Sequence, residues 1–558
     1  MKKINFSTQL FSVLMIVILG VSCQHKTLKA DLVITNTTIW TGNENNPIAQ
    51  AIAISGDTIL SIGSSKEVSE FIGKNTKVKD LKGKFITPGF IDTHVHLLTG
   101  GFNLNSVQLR NAKTPEEFIK RIKEFAKTVP KGSWILGGDW DHENWGGKLP
   151  TKEWIDAVTK DNPVFITRLD GHMSLANSLA LKLANVTNKV HDVSGGEIVR
   201  TPKGELTGLF KDNATDLITP FITEPTEEEY QKALQAAMKY LASNGVTSVH
   251  HMSASSHYNV LKKVRANNEL ITRIYAMYPL SGWKNLKIEI ETNGSGDKWL
   301  KTGGLKGFVD GSLGSHTAAF FDPYIDNPSD KGFFVMPMDK IYNYVKDADN
   351  ENFQVMIHAI GDKAINNLLN TFETVEKENG EKDRRFRVEH AQHIAQNDFK
   401  RFAQLNVILS MQPYHAIDDG RWAEKLIGSE RIKTTYAFKS LLEAKANLVF
   451  GSDWFVAPPI PLMGIYAAVT RRTLDDKNPK GWVPEEKITV EQALTAYTKN
   501  AAYSSFEEGI KGTLEPGKLA DFVIISEDLT KVAPIKIKDL KILETYVGGK
   551  KVFDILDK

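Results

Sequence analysis

The sequence predicts an α/β protein in which eight parallel strands form a barrel, with a small β-sandwich built from both chain ends. Residues 30–85 and 506–558 alternate apolar and polar residues, which is typical of antiparallel strands. The long middle alternates apolar strand candidates with helical segments, which favours a parallel sheet or barrel. Eight strand candidates indicate a (β/α)8 (TIM) barrel, and they span residues 86–94, 245–251, 271–278, 304–310, 354–358, 386–390, 406–412 and 447–452.

The chain of 558 residues is long enough for this barrel and for additions to it. A typical barrel of this kind needs about 250 residues, and the excess lies mainly in an insertion after strand one, at about residues 100–225. Good helix starts support the helical segments, among them Thr226 and the capping-box pair Thr489 and Gln492. We assign residues 30–85 to the first part of the sandwich, 86–505 to the barrel and 506–558 to the second part of the sandwich.

The N-terminus has the pattern of a bacterial export signal. Lys2 and Lys3 precede the apolar run "LFSVLMIVILGVS", which ends at Cys23, the sole cysteine of the chain. We therefore predict that residues 1–23 are a signal peptide and that the protein is periplasmic or outward-facing. Cys23 resembles the lipid-modified cysteine of a bacterial lipoprotein, although Gly20 stands where that pattern usually has leucine. Lipid anchoring to a membrane through Cys23 and plain secretion are the two alternatives.

Cys23→Ala separates these alternatives. If Cys23 is lipidated, the wild-type protein should partition with membranes, because acyl chains supply the affinity, and the variant should be released or remain unprocessed. Cell fractionation measures both. Equal solubility of the two forms would contradict the anchor and leave simple export.

The amino-acid composition bears on which classes of partner the protein can have. The net charge is +2 and 41% of residues are hydrophobic, with no basic block and no acidic tail. This balance gives no indication of a nucleic-acid partner. A homo-oligomer is compatible with the same composition.

The stretch "ITPGFIDTHVHLLTGG" places His94 and His96 one residue apart at the end of the first barrel strand. Alternate residues of a strand share a face, so both imidazoles can bind one metal. Alone, this motif is weak evidence, because two ordinary loop histidines would give the same pattern.

Further chemistry-bearing residues end other strand candidates. Lys306 lies in strand four, His358 and His390 end strands five and six, and Asp453 follows strand eight. Catalytic groups of such barrels stand at the carboxyl ends of the strands, so these side chains should meet at one mouth. Their joint placement favours a metal-dependent catalytic site.

These residues lie in motifs that resemble those of the amidohydrolase superfamily, across essentially the whole mature chain. The finer resemblance is to the subgroup that includes N-substituted formamide deformylase, and it lies in "DGHMSLANSLAL", "DGSLGSHTAAF", "HAIGDKAI", "VEHAQHI", "SMQPYHAIDD" and "GSDWFV".

The resemblance implies one or two divalent metals per chain. His94 and His96 would bind one metal, His358 and His390 a second, and an N-carboxylated Lys306 would bridge them. Asp453 would complete one coordination shell and act as the catalytic acid/base. Imidazole and carboxylate ligands suit Zn²⁺ best, while Fe, Mn and Co are compatible with them. The alternative for Lys306 is a lysine that packs without binding metal.

Five further residues are candidates for substrate binding. His172 lies in "DGHMS", Asp310 and Ser312 follow strand four, Gln412 ends strand seven, and Trp140 lies in the insertion. His250 and His251 end strand two and could support the metal ligands.

The predicted function is a metal-dependent amidohydrolase that cleaves a non-peptide C–N bond of a small amide through a metal-activated hydroxide. Two alternatives stay open: a one-metal hydrolase or deaminase of the same fold, and a catalytically silent binding or regulatory lipoprotein.

Overall fold

The computed structural model describes residues 28–252 and 255–557. The predicted signal peptide and Cys23 lie outside the described residues. Within those two ranges, no helix combines the length and apolar character that a membrane span requires.

Eight parallel strands form the predicted barrel, which confirms the fold class. Consecutive strands pair in chain order, and an isolated parallel bridge joins Val95 of the first strand to Trp454, just after the last strand. The barrel strands are β1 (Phe90–Val95), β2 (Val246–His251), β3 (Arg273–Pro279), β4 (Leu300–Phe308), β5 (Gln354–Ala359), β6 (Arg387–His390), β7 (Ile408–Met411) and β8 (Asn447–Phe450).

The barrel closes between β1 and the segment that follows β8. The amide of His96 donates to the carbonyl of Trp454 at 2.6 Å, and the amide of Asp453 donates to the carbonyl of His94 at 2.7 Å. The buried carboxylate of Asp92 accepts from the amide of Ser452 at 2.8 Å. The first and last strands are therefore joined at the level of the predicted metal ligands.

Helices cover the outside of the barrel, because their apolar faces pack on the strands in one continuous core. The two predicted helix starts are present: Thr489 has the predicted capping box, and Thr226 also begins its helix with one. The principal helices are Leu97–Asn103, Glu227–Ser243, Ser255–Ala266, Trp283–Asn293, Met338–Asn350, Asp362–Asn379, Phe399–Gln404, Pro413–Asp419, Ala423–Arg431, Phe438–Glu443, Pro461–Thr470, Val490–Tyr497 and Lys499–Tyr503.

Both chain ends contribute strands to a sandwich of two sheets. Between them lies a core that is rich in isoleucine, including Ile34, Ile52 and Ile524. One sheet has the order Thr58–Gly63, Ala51–Ser55, Leu32–Thr35 and Lys77–Asp80; the other has the order Lys550–Asp554, Ile542–Val547, Phe522–Ile525, Phe85–Pro88, Thr38–Trp40 and Ile48–Ala49.

The first strand candidate, 86–94, divides between two sheets. Its beginning, Phe85–Pro88, pairs with Phe522–Ile525 in the sandwich, and only Phe90–Val95 enters the barrel. Gly89 lies at the change, where an added Cβ would approach the side chain of Thr247 to 2.2 Å. Continuous apolar character concealed this break, because both halves are buried.

The insertion after β1 contains a six-stranded sheet of its own. Its strands, in sheet order, are Gly196–Arg200, Leu206–Asp212, Met173–Ala176, Val164–Arg168, Ile135–Trp140 and Val107–Gln108. The helices Pro115–Ala126, Lys152–Asp156 and Ser178–Leu183 accompany this sheet.

A buried ion pair joins the sandwich to the barrel. Arg273 at the start of β3 donates to both carboxylate oxygens of Asp521, at 2.6 and 2.9 Å. The amide of Gly548 also donates to Asp521 at 2.7 Å. Both charged side chains are almost fully buried, so each depends on the other for compensation.

Asp521→Asn should therefore lower the free energy of unfolding by about 3–5 kcal/mol, because it leaves the Arg273 guanidinium buried without its charge partner. Denaturant unfolding measures the loss. The matched control is Asp297→Asn, whose partner Arg265 is 29% exposed; it should cost no more than about 1 kcal/mol. Equal losses in the two variants would contradict a special role for the buried pair.

Candidate metal centre

His94 and His96 lie at the carboxyl end of β1. Nδ1 of the fully buried His94 lies 2.6 Å from Oε2 of Glu389, where it donates its proton. The lone pair of the other ring nitrogen, Nε2, is therefore free, and Nε2 lies 3.5 Å from Oδ1 of Asp453. Nε2 of the more exposed His96 lies 3.2 Å from the same oxygen. The two imidazoles thus converge on one carboxylate.

Backbone turns at two strand ends bring His390 and Asp453 to the same point. His390 has a φ of 73° and Asp453 a φ of 61°, both in the left-handed region. A regular strand would point Glu389 and His390 to opposite faces. The turn instead lets both reach His94, whose ring centre lies 4.7 Å from that of His390. Left-handed φ values at non-glycine residues often occur at functional sites.

These residues fit a divalent metal. One ligand atom each from His94, His390 and Asp453 lies within 4.8 Å of the other two. Nε2 of His94 and Oδ1 of Asp453 are buried without a hydrogen-bond partner. Burial lowers the pKa of His94 to about 4, and it holds that of His390 well below its usual range. Both imidazoles are therefore neutral at pH 7 and can offer lone pairs to a cation.

The charge of Asp453 completes this donor set. Burial opposes its ionisation, but the surrounding imidazoles of His94, His96 and His390 keep its pKa well below the usual range. A carboxylate and several neutral imidazoles are ligands that Zn²⁺ and similar ions prefer.

Lys306 lies on β4 with its amine inside the barrel mouth. The side chain is 6% exposed, and its Nζ has no hydrogen-bond partner. The amine lies 4.6 Å from the ring centre of Phe308. Burial lowers the pKa of Lys306 to about 8, against the opposing effect of Glu389 and Asp453. A buried amine without a partner is costly unless another group engages it.

His358 is adjacent to this group but does not join it. Its ring centre lies 4.5 Å from that of His390. Its Nε2 donates to the carbonyl of Gly311 at 2.9 Å. The structure therefore groups His390 with His94, rather than pairing it only with His358.

A small cavity of about 40 Å³ lies beside the candidate metal ligands. His172, Ser312, His358, His390 and Asp453 all line it. Nδ1 of His172 donates to Asp212 at 2.6 Å, and the hydroxyl of Ser312 donates to Asp170. The structure thus brings two of the predicted substrate-binding residues to the centre.

Three other predicted substrate residues do not line this cavity. The carboxylate of Asp310 accepts three backbone amides, from Ala319 at 2.8 Å, Ile360 at 3.0 Å and Gly361 at 2.9 Å, so it holds the loops after β4 and β5. Oε1 of Gln412 accepts from Nδ1 of His390 at 2.9 Å and orients that ring. Trp140 is fully buried in the insertion, where its indole donates to a backbone carbonyl at 3.0 Å.

The histidines at the end of β2 accept hydrogen bonds from neighbouring groups. Nδ1 of His250 accepts from Arg387 at 2.8 Å, and Nδ1 of His251 accepts from the amide of Leu97 at 3.1 Å.

Sequence reasoning missed Glu389 and Arg387. Arg387 donates to Oε1 of Glu389 at 2.7 Å, and both side chains are fully buried inside the barrel. The signal was present in "RFRVEHAQH", because Arg387 and Glu389 alternate on one face of β6. Arg168 was also missed; it is buried in the cavity wall and pairs with Asp170 at 2.6 Å.

Glu389→Gln should weaken metal affinity by about 10–100-fold, because a carboxylate that accepts from a ligating imidazole fixes its tautomer and raises its basicity. Competition with a chromogenic chelator measures the dissociation constant for Zn²⁺. Glu507→Gln is the matched control, since Glu507 is buried and pairs with Lys511 at 3.0 Å. It should change stability without changing metal affinity, and unchanged affinity in Glu389→Gln would contradict the positioning role.

Comparison with known proteins agrees with the family resemblance of the sequence motifs. The model of the amidohydrolase family matches residues 77–553. The protein LONG AFTER FAR-RED 3 of Arabidopsis thaliana is 42% identical over 537 residues, which cover 94% of this chain and 92% of that protein. N-substituted formamide deformylase of Arthrobacter pascens is 26% identical over 541 residues, or 93% and 97% of the two chains.

A solved structure has the same architecture. An uncharacterized metal-dependent hydrolase from Pyrococcus horikoshii superimposes with a TM-score of 0.73 at 30% identity, covering 90% of this chain and 99% of the other.

Proposed function

We propose that this chain, which belongs to the amidohydrolase family, is a metal-dependent hydrolase of the non-peptide C–N bond of a small amide. One observation carries the proposal. Two facing donor atoms, Nε2 of His94 and Oδ1 of Asp453, are buried without partners at the barrel mouth, with the unpartnered amine of Lys306 in the same interior. Buried polar atoms are normally satisfied, so this arrangement indicates a cation between them.

His94, His96, His390 and Asp453 would hold the ion, most favourably Zn²⁺. His358 and an N-carboxylated Lys306 would provide for a second ion. Carboxylation requires the neutral amine, which attacks CO₂ and loses one proton to give a carbamate. When bound, a divalent ion polarises the substrate carbonyl and lowers the pKa of water.

Asp453 serves as the acid/base. Its carboxylate accepts a proton from the attacking water, and the same oxygen then delivers that proton to the leaving nitrogen. Nε2 of His94 and Nε2 of His96 lie 3.5 and 3.2 Å from Oδ1 of Asp453, so this carboxylate lies beside the atoms that would bind the ion.

The cavity wall positions the substrate. His172, oriented by Asp212, and Ser312, oriented by Asp170, present polar groups beside Asp453. These groups suit the polar atoms of an amide, which must be paired when water is excluded.

The test is a substrate panel. Metal-loaded protein should hydrolyse at least one class among N-formyl amines, N-acyl amino acids and cyclic amides. Chelation should abolish the activity and Zn²⁺ should restore it. Bound metal without turnover of any amide would contradict the proposal and favour a binding or regulatory role.

A further inference from the structure

A second, larger cavity of about 750 Å³ lies between the insertion and the barrel mouth. Its size falls within the range of about 300–1,000 Å³ that is usual for small-molecule sites. Both the insertion and the loops after β1 and β8 contribute to its lining. The proposed mechanism uses none of this space.

The lining is predominantly apolar. Six aromatic side chains contribute to it, beside short polar side chains such as those of Thr167 and Ser174: Phe102, Phe125, Trp134, Phe165, Tyr230 and Phe455. Among the described residues that line the cavity, Glu229 is the one with a carboxylate, and no lysine or arginine is present. That carboxylate is already engaged, because it accepts from the amide and hydroxyl of Thr226 at 2.7 and 2.8 Å. The imidazole of His257 also lines the cavity, and burial lowers its pKa, so it is uncharged at neutral pH. The cavity therefore has no free charge for an ionic group and suits an uncharged apolar one.

Two short segments of the chain border both cavities. Asp170 and His172 line the small cavity, whereas Gly171 between them lines the large one. Likewise Asp453 and Val456 line the small cavity and Phe455 lines the large one. The two cavities therefore lie next to each other along these segments.

Phe455 connects the large cavity with the metal centre. Its ring centre lies 5.8 Å from that of His96, edge to face. Arg110 fixes its backbone by donating to the carbonyls of Phe455 and Val456 at 2.8 and 2.6 Å. An apolar group in the large cavity would therefore lie next to the proposed metal ligands.

We propose that the large cavity is a specificity subsite that takes an uncharged apolar substituent, an alkyl chain or aromatic ring, of the amide substrate. This rests on the proposed function for the identity of the reacting group. Three observations support this proposal: the volume of the cavity, its apolar lining without free charge, and the contact of Phe455 with His96. The substituent can belong to the acyl side or to the nitrogen side of the amide.

Binding to metal-free protein tests the subsite without turnover. Calorimetry compares heptanamide and its isomer N-hexylformamide with acetamide. Each buried methylene contributes about 0.8 kcal/mol, or roughly a fourfold gain in affinity. A hexyl chain has five more methylenes than the methyl group of acetamide, so at least one hexyl amide should bind on the order of a thousandfold tighter than acetamide. Equal affinities for all three amides would overturn the inference.

Cavity-filling variants locate the binding. Ile222→Trp and Val129→Trp place an indole in the large cavity, and each should lose most of the gain from the hexyl chain. Two positions are used so that a folding defect in one variant does not decide the result. Ile288→Trp is the matched control, because Ile288 is 61% exposed on the helix Trp283–Asn293 and does not line the cavity. Wild-type affinity for the hexyl amides in both filled variants would overturn the inference.

Kinetics of metal-loaded protein show which side of the amide the substituent occupies. If the acyl side enters the cavity, kcat/KM should rise from acetamide to heptanamide; if the nitrogen side enters, it should rise from N-methylformamide to N-hexylformamide. A rise of kcat/KM in either series that disappears in Ile222→Trp supports the subsite. If kcat/KM stays constant along both series, the subsite is contradicted. Tight hexyl binding that Ile222→Trp removes, without hydrolysis of any amide, would reject the proposed reaction and retain the subsite.

Discussion

Asp453→Asn is expected to lower kcat by roughly 10²–10⁴-fold, the usual loss when general acid/base catalysis is removed. The substitution keeps the size of the side chain but removes the basic carboxylate that His94 and His96 approach at 3.5 and 3.2 Å. Steady-state kinetics with an amide found in the panel measures the loss, and metal analysis of the same preparation reports occupancy.

The control for this variant is Asp161→Asn. Asp161 is 57% exposed and pairs with Lys131 on the insertion, away from the barrel mouth. Its kcat should equal that of the wild type. Near-normal turnover by Asp453→Asn with metal still bound would assign proton transfer elsewhere, and His172 would be the next residue to replace.

Lys306→Ala should lose most of the activity and weaken at least one metal site. If the lysine carries a carboxylate that joins two ions, wild-type protein should bind close to two metals per chain, and the variant fewer. The amine is buried and has no hydrogen-bond partner, so its removal breaks no ion pair. Elemental analysis and kinetics measure the two effects separately.

Small carboxylates extend this test. Alanine at position 306 leaves room for formate, acetate or propionate, which should restore part of the rate by taking the place of the missing carboxylate. Lys301→Ala is the matched control, because Lys301 lies on the same strand, β4, and donates to the backbone of Ser505 instead. It should keep its metal content and respond to no added carboxylate.

Full metal occupancy and unchanged activity in Lys306→Ala would contradict the two-metal arrangement. The one-metal hydrolase or deaminase would then be the better interpretation, with His94, His96, His390 and Asp453 as its ligands.

The sequence was sufficient to predict the barrel, because the periodic patterns of strands and helices are local properties of the chain. Apolar runs separated by well-capped helices mark each strand, and the carboxyl ends of the strands identify His94, His96, His390 and Asp453 as neighbours. The position of Phe85–Pro88 was not accessible in this way, since strands that are buried on both faces look alike in a barrel and in a sandwich.

Side-chain contacts across the barrel were equally inaccessible from the sequence. Glu389 acts on His94, a residue from another strand, and the left-handed turn at His390 reverses the alternation that a strand pattern assumes. Trp140 is a different case. The sequence places this tryptophan in the insertion but does not show that the insertion has its own sheet and core, which bury the ring.

The joining of β1 to the segment after β8 has a consequence for assembly. His94 belongs to the first strand of the ring and Asp453 follows the last, so almost the entire barrel must be synthesised before these two ligands can meet. Bringing such distant segments together costs loop-closure entropy. The contacts of the closed barrel compensate for this cost only once the last strand has docked. Metal affinity should therefore appear late in folding, in a single step with docking of β8, rather than grow strand by strand. A nascent chain that ends before Asp453 would expose His94 and His96 without retaining an ion, and bound metal would report that the ring is complete.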